Sequence, residues 1–105
     1  MTESEVVEEI GRRLADVTPA GSRVLLFGSR ARGEADEGSD YDVLVIEPAV
    51  ANTVEESLRL RRTLRELRVP IDVIVVDEDL ARRRSRVRGT MVERALREGR
   101  VLARP

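Results

Sequence analysis

Three short apolar runs, Val24 to Phe27, Asp42 to Ile46 and Ile71 to Val76, constrain this chain more than any other feature, because two of them take in an aspartate. An unpaired carboxylate on an apolar strand is costly. A fold that accepts Asp42 and Asp72 must supply a counter-charge, a cation or water at those positions. The runs have the length and the bounding turns of buried strands. Gly28-Ser29 breaks the first and Pro48 stops the second. Residues 30–39, RARGEADEGS, are polar and glycine-containing and read as a loop with room for one helical turn.

The remaining chain reads as helix. Val6, Val7, Ile10, Leu14 and Val17 recur at spacings of three and four, which predicts an amphipathic helix over 2–17 with acidic residues in its first turn. Thr53-Val54-Glu55-Glu56 matches a capping box, and Leu60, Leu64 and Leu67 then line one side of a second helix that Val69-Pro70 closes. A last helix is expected from about Asp79 to Glu98, with Val87, Met91, Ala95 and Leu96 inward and Gly99 as its C-cap. Val101-Leu102 can add an edge strand. No repeat or low-complexity linker divides the chain, so its 105 residues predict one domain, 1–105.

Connection lengths set the topology. If the helix after Thr53 joins the second and third strands, those strands are parallel and begin at the same end of the sheet. Only a loop separates the first strand from the second, so that pair should be antiparallel. The fold class is then α/β (α+β): a mixed three- to four-stranded sheet with flanking helices. Ser29, Asp40, Asp42 and Asp72 gather at one end.

Composition narrows the chemistry available there. The chain has no cysteine and no histidine, which excludes thiolate zinc sites and catalysis by Ser/His or Cys/His pairs. All 19 basic residues are arginine, so the lysine-dependent P-loop cannot occur. The arginine excess, with Asn52 as the only asparagine and no glutamine, fits a GC-rich or thermophilic source. Phe27 and Tyr41 are the only aromatics, so the core must be aliphatic. A net charge of −1 argues against a globally basic nucleic-acid binder. No apolar run approaches the roughly 18 residues of a membrane span, and Met1 to Glu5 is acidic where a signal peptide would be basic. A soluble, cytoplasmic protein is expected.

Any titratable catalysis must therefore come from carboxylates. Asp40 and Asp42, two residues apart on a strand, share a face with Cβ atoms about 6–7 Å apart. Three carboxylates held close repel one another unless a positive charge sits among them. Mg2+ suits a site that offers a few carboxylates and leaves other positions to substrate phosphates and water. Gly28 lets a phosphate approach the backbone, N–H groups of the following turn can donate to it, and Arg30 and Arg32 can neutralise a triphosphate. Asp72 would accept a proton from an attacking hydroxyl or orient it. The blander reading pairs Asp42 and Asp72 with neighbouring arginines and leaves Asp40 as a turn residue. Arg59, Arg61, Arg62, Arg65 and Arg68 read as a solvated helix face, since no aromatics interleave to stack bases. The run from Arg82 to Arg88 suits a partner or phosphate surface as well as it suits solvent.

Together Leu26-Phe27-Gly28-Ser29-Arg30-Ala31-Arg32-Gly33, Ser39-Asp40-Tyr41-Asp42-Val43-Leu44-Val45 and Ile71-Asp72-Val73-Ile74-Val75 resemble the minimal nucleotidyltransferases of the DNA polymerase β superfamily. Their signature is Gly-Ser, ten residues, Asp-x-Asp, and a third Asp on a later strand. The ending from Glu93 to Leu102 is also like theirs. The resemblance implies a polymerase β-like fold in which Gly28 and Ser29 hold the triphosphate of ATP, Asp40 and Asp42 bind Mg2+ (or Mn2+) and Asp72 completes the catalytic triad. It further implies an antitoxin paired with a HEPN-domain ribonuclease toxin in a hetero-oligomer, transferring AMP to a tyrosine of the toxin. A non-catalytic antitoxin that neutralises its partner by binding alone is the alternative. A haloacid dehalogenase-type phosphatase has its apolar strand before the Asp-x-Asp, the reverse of the order here. An antibiotic-modifying nucleotidyltransferase would need more chain to hold its acceptor.

Overall fold

The computed structural model describes residues 1–105. Helix α1 spans Glu3–Val17, and its Thr2 cap forms a full capping box with Glu5. Strand β1 (Arg23–Phe27) leads into the single-turn helix α2 (Ser29–Arg32), and β2 (Tyr41–Glu47) follows the polar loop. Helix α3 (Thr53–Thr63) and a short 3-10 turn (Arg65–Leu67) carry the chain over to β3 (Ile71–Asp77), after which come α4 (Glu78–Arg84), α5 (Met91–Glu98) and β4 (Arg100–Ala103).

The four strands form one mixed sheet in the order β3-β2-β1-β4. As the connection lengths require, β1 is antiparallel to β2, β2 is parallel to β3, and the Val101-Leu102 segment adds an edge strand antiparallel to β1. Side chains alternate between two aliphatic layers. Val24, Leu26, Tyr41, Val43, Val45, Val73 and Val75 pack under α1 and α3, while Leu25, Leu44, Ile46 and Val76 pack under α4 and α5. β2 lies at the centre and is covered on both faces, which is why its sequence is a continuous apolar run rather than an alternation. The period of two places Asp42 with Leu44, and Asp72 with Ile74, on the α4–α5 face.

Helix boundaries differ from the expectation at both ends of α3 and within 79–98; α3 ends at Thr63 and gives way to the 3-10 turn, short of the expected Val69-Pro70. The cap of α3 is Asn52, whose side chain accepts from the Glu55 N–H at 3.0 Å, so Thr53 is the first helical residue rather than the cap. The single helix expected over 79–98 is two. Gly89 adopts φ +88°, and the Thr90 hydroxyl donates to the carbonyls of Arg84 and Val87 while accepting from Glu93 N–H, so one residue closes the turn after α4 and caps α5. As a result Val87, expected inward, is exposed. Gly99 stands at the end of α5 in extended rather than left-handed conformation. It is glycine for lack of room: a Cβ there would overlap the Ala95 carbonyl and lie 2.8 Å from that of Leu26.

One buried carboxyl sits at the opposite end of β2. Glu47 is 4% exposed and its Oε2 has no partner. Burial, together with a hydrogen bond to the carboxyl of Glu56, pushes Glu47 up to about 7 from an ordinary 4.5, while the Arg59 guanidinium holds Glu56 well below the usual range. Between pH 4.5 and 7 the folded chain keeps a proton that the unfolded chain releases, so this pair loses stability as pH rises through that window. Replacing Glu47 with glutamine should remove the loss and stabilise the protein at pH 8 by about 1–3 kcal/mol. Thermal melts of parent and variant at acid and alkaline pH check this; parallel melting curves at both would rule it out.

Candidate active site

The site forms where β1 stops and where β2 and β3 start. Phe27 pairs with Asp42, and Asp42 with Asp72. Neighbouring strands lie about 4.8 Å apart, so the two aspartates stand side by side on the same face. Asp40 is exposed and lies just outside β2, one pleat before Asp42.

Gly28 turns the chain from β1 into α2 directly beside Asp42. Its backbone has φ +75° and ψ −159°, a combination open essentially only to glycine. A Cβ there would collide with Oδ2 of Asp42 and lie 3.1 Å from its Cγ. The Gly28 carbonyl accepts from the N–H groups of Ala31 and Arg32 at 3.1 and 3.2 Å, which closes the turn. The first N–H groups of such a turn have no intrahelical acceptor and face outward. Ser29, half-buried, is its first residue.

The charges around Asp42 explain its state. Burial raises its pKa above the ordinary carboxylate value, the nearby Asp72 and Asp40 carboxylates raise it further, and Arg32 opposes them. These are the forces expected where a part-buried carboxylate stands beside others of like charge. Asp72 is the partner with a protein counter-ion: Arg61 of α3 reaches round the edge strand to hold its Oδ1 at 2.5 Å. The arginine pairing weighed for both aspartates thus occurs at Asp72 and not at Asp42. No three potential ligands yet stand together as a formed metal cluster. The donor set itself is hard oxygen carrying excess negative charge, which fits Mg2+ and does not fit a soft metal.

The two arginines after Ser29 part company. Arg32 points into a cleft of about 200 Å3 lined by Gly28, Asp42, Arg94 and Glu98, with Glu98 3.5 Å from its guanidinium. Arg30 turns to the opposite face, where it stacks over the Tyr41 ring at 4.2 Å and donates to the carbonyls of Ser39 and Glu37 and to Glu3. In this structure its side chain, 7% exposed, holds the 33–40 loop against the sheet and does not line the site. Asp36 tightens the same loop by accepting from the Gly38 N–H and the Ser39 hydroxyl. Nothing local in the sequence marks Arg94 and Glu98 as site residues: their i, i+4 spacing on a helix acquires meaning only because α5 ends beside Gly28.

Comparison with known proteins agrees with this geometry. No curated protein matches the chain in sequence. Among solved structures, a Sulfolobus solfataricus protein described as a nucleotidyltransferase superposes with a TM-score of 0.62 at 26% identity, over 92% of this chain and 76% of that one. A chain from a toxin-antitoxin complex crystallised with AMP-PNP superposes with a TM-score of 0.66 at 20% identity, over 91% of this chain and 71% of that one. The family model of the nucleotidyltransferase domain matches residues 4–100. That match takes in both strands that carry the aspartates, the Gly28 turn and the α5 wall of the cleft, and by it this chain belongs to the nucleotidyltransferase-domain family.

Proposed function

We propose that this protein is a metal-dependent nucleotidyltransferase that moves AMP from ATP onto a hydroxyl of a partner protein, and that it acts as the antitoxin of a HEPN-type ribonuclease. The observation that carries the reading is Asp42, which is packed against Gly28, in register with Asp72, and raised in pKa by burial and by the neighbouring carboxylates despite Arg32 nearby. Asp40, Asp42 and Asp72 would hold Mg2+, which when bound supplies charge neutralisation between the carboxylates and the phosphates. Gly28 and the N–H groups behind it cradle the triphosphate, and Arg32 and Arg94 flank the cleft that receives it. Arg30 is then a positioning residue for the loop that leads into Asp40. The acceptor hydroxyl attacks the α-phosphorus, a new P–O bond forms, and the bond to the β-phosphate oxygen breaks with its electron pair leaving on pyrophosphate. Asp72 takes or orients the hydroxyl proton. The neighbour crystallised with AMP-PNP, an ATP analogue, within a toxin-antitoxin complex supports both the donor and the setting.

One observation favours the alternative of neutralisation by binding alone: Arg61 already compensates Asp72. The two readings separate on turnover. With α-labelled ATP, Mg2+ and the co-expressed neighbouring gene product, label should appear on the partner and pyrophosphate should be released. A tight complex that carries no label would establish the binding-only reading.

A further inference from the structure

The face of α3 that looks past the edge of the sheet carries an open groove of about 460 Å3, floored by Leu58, Leu64, Val69 and Ile71 and rimmed by Arg61, Arg62 and Arg65. β3 is the outermost strand on this side, so no other strand of the chain covers the groove. Leu58 is left 44% exposed. Several helix arginines are paired, Arg12 and Arg13 with Glu9, Arg59 with Glu56 and Arg97 with Glu93, whereas Arg82, Arg84 and Arg94 are not. Arg62 and Arg65 form no ion pair. Arg61 belongs to both features, lining the groove and holding Asp72.

We propose that this groove docks an acidic, leucine-bearing segment of the acceptor protein and delivers its hydroxyl to Asp72. The inference rests on the reading of Asp72 as the carboxylate on the acceptor side. Unpaired arginines around an apolar floor match carboxylates around an apolar anchor, and they steer an acidic segment inward from beyond contact. The groove contains no aromatic side chain, so it lacks the stacking surface that single-stranded nucleic acid uses. The denser run from Arg82 to Arg88 lies on α4 and in the turn before α5, and no contact ties it to the aspartates.

Two fluorescent tyrosine peptides test the proposal, one alternating glutamate with leucine and one with lysine in place of glutamate. The parent protein should bind the acidic peptide at low salt, more weakly as salt rises, and should reject the basic one. The double substitution Arg62→Ser with Arg65→Ser, and separately Leu58→Asp, should each weaken binding of the acidic peptide about tenfold or more. Arg82→Ser with Arg83→Ser should not. ATP binding with Mg2+, measured on every variant, should be unchanged, which also shows that each remains folded. If the parent binds Mg-ATP but not the acidic peptide, or if the groove variants bind the peptide as the parent does, the docking role is wrong while the enzyme reading stands. If a single-stranded RNA competes the acidic peptide off and binds more tightly, the groove serves another class of partner and the proposal also fails. Loss of Mg-ATP binding by the parent would instead overturn the enzyme reading on which the inference rests.

Discussion

Asp42→Asn should reduce nucleotidyl transfer by about 100- to 1,000-fold while leaving the protein folded, with a melting temperature at neutral pH equal to or above that of the parent. The two effects have opposite origins. Burial raises the pKa of Asp42 and the carboxylates of Asp72 and Asp40 raise it further, so its charge is costly where it stands and opposes theirs. The amide keeps the shape and removes that repulsion. Catalysis loses a charged ligand at the point where the reading places the metal between acceptor and phosphates, and losing one preorganised electrostatic group commonly costs 100- to about 1,000-fold. Thermal melts with and without Mg2+, run beside the label-transfer assay, separate the effects. In the parent, Mg2+ should raise the melting temperature by mass action on the folded state. In the variant this rise should vanish. Undiminished transfer by Asp42→Asn at low Mg2+ would remove Asp42 from the ligand set.

Gly28→Ala is the second large effect, and it should damage stability and activity together. The backbone conformation at Gly28 costs any residue with a Cβ about 1–3 kcal/mol. The added methyl must also displace the Asp42 carboxylate, whose Cβ is only 3.3 Å from where the new atom would stand. For a domain of about 100 residues, each kcal/mol lowers the melting temperature by about 4–8 °C. Triphosphate binding should fall as well, because the close approach of phosphate to backbone is lost. Gly33→Ala is the matched control. Gly33 also has positive φ, +74° in the left-handed helical region, but nothing lies within 4 Å of its would-be Cβ. That variant should lose some stability and keep its ATP binding. Equal ATP affinity in Gly28→Ala and the parent would mean that the phosphates lie elsewhere.

Much of this arrangement was readable in the chain. The three apolar runs became β1, β2 and β3 to within one residue at each boundary, because aliphatic runs bounded by turn residues have few other ways to be buried. Parallel and antiparallel pairing followed from what joins the strands, a helix in one case and a loop in the other. Sequence misled over 79–98, which reads as one helix: Gly89 at positive φ and the Thr90 cap break it, and the bend lets α4 and α5 both lie on one face of the sheet.

That Gly28 follows a buried strand and that Asp42 and Asp72 stand at the heads of two others was legible in the sequence alone, because turn residues bound each apolar run. What each arginine does was decided by the tertiary structure. Arg30 and Arg32 are two residues apart in a four-residue helix, and they point to opposite faces of the sheet, one clamping a loop over Tyr41 and the other entering the cleft. Arg61, which looks like one member of a solvated row, reaches Asp72 because β3 is an edge strand and nothing stands between them. A guanidinium sits at the end of a long flexible stem, so its partner is set by which surfaces the fold brings within reach and not by its place in the chain.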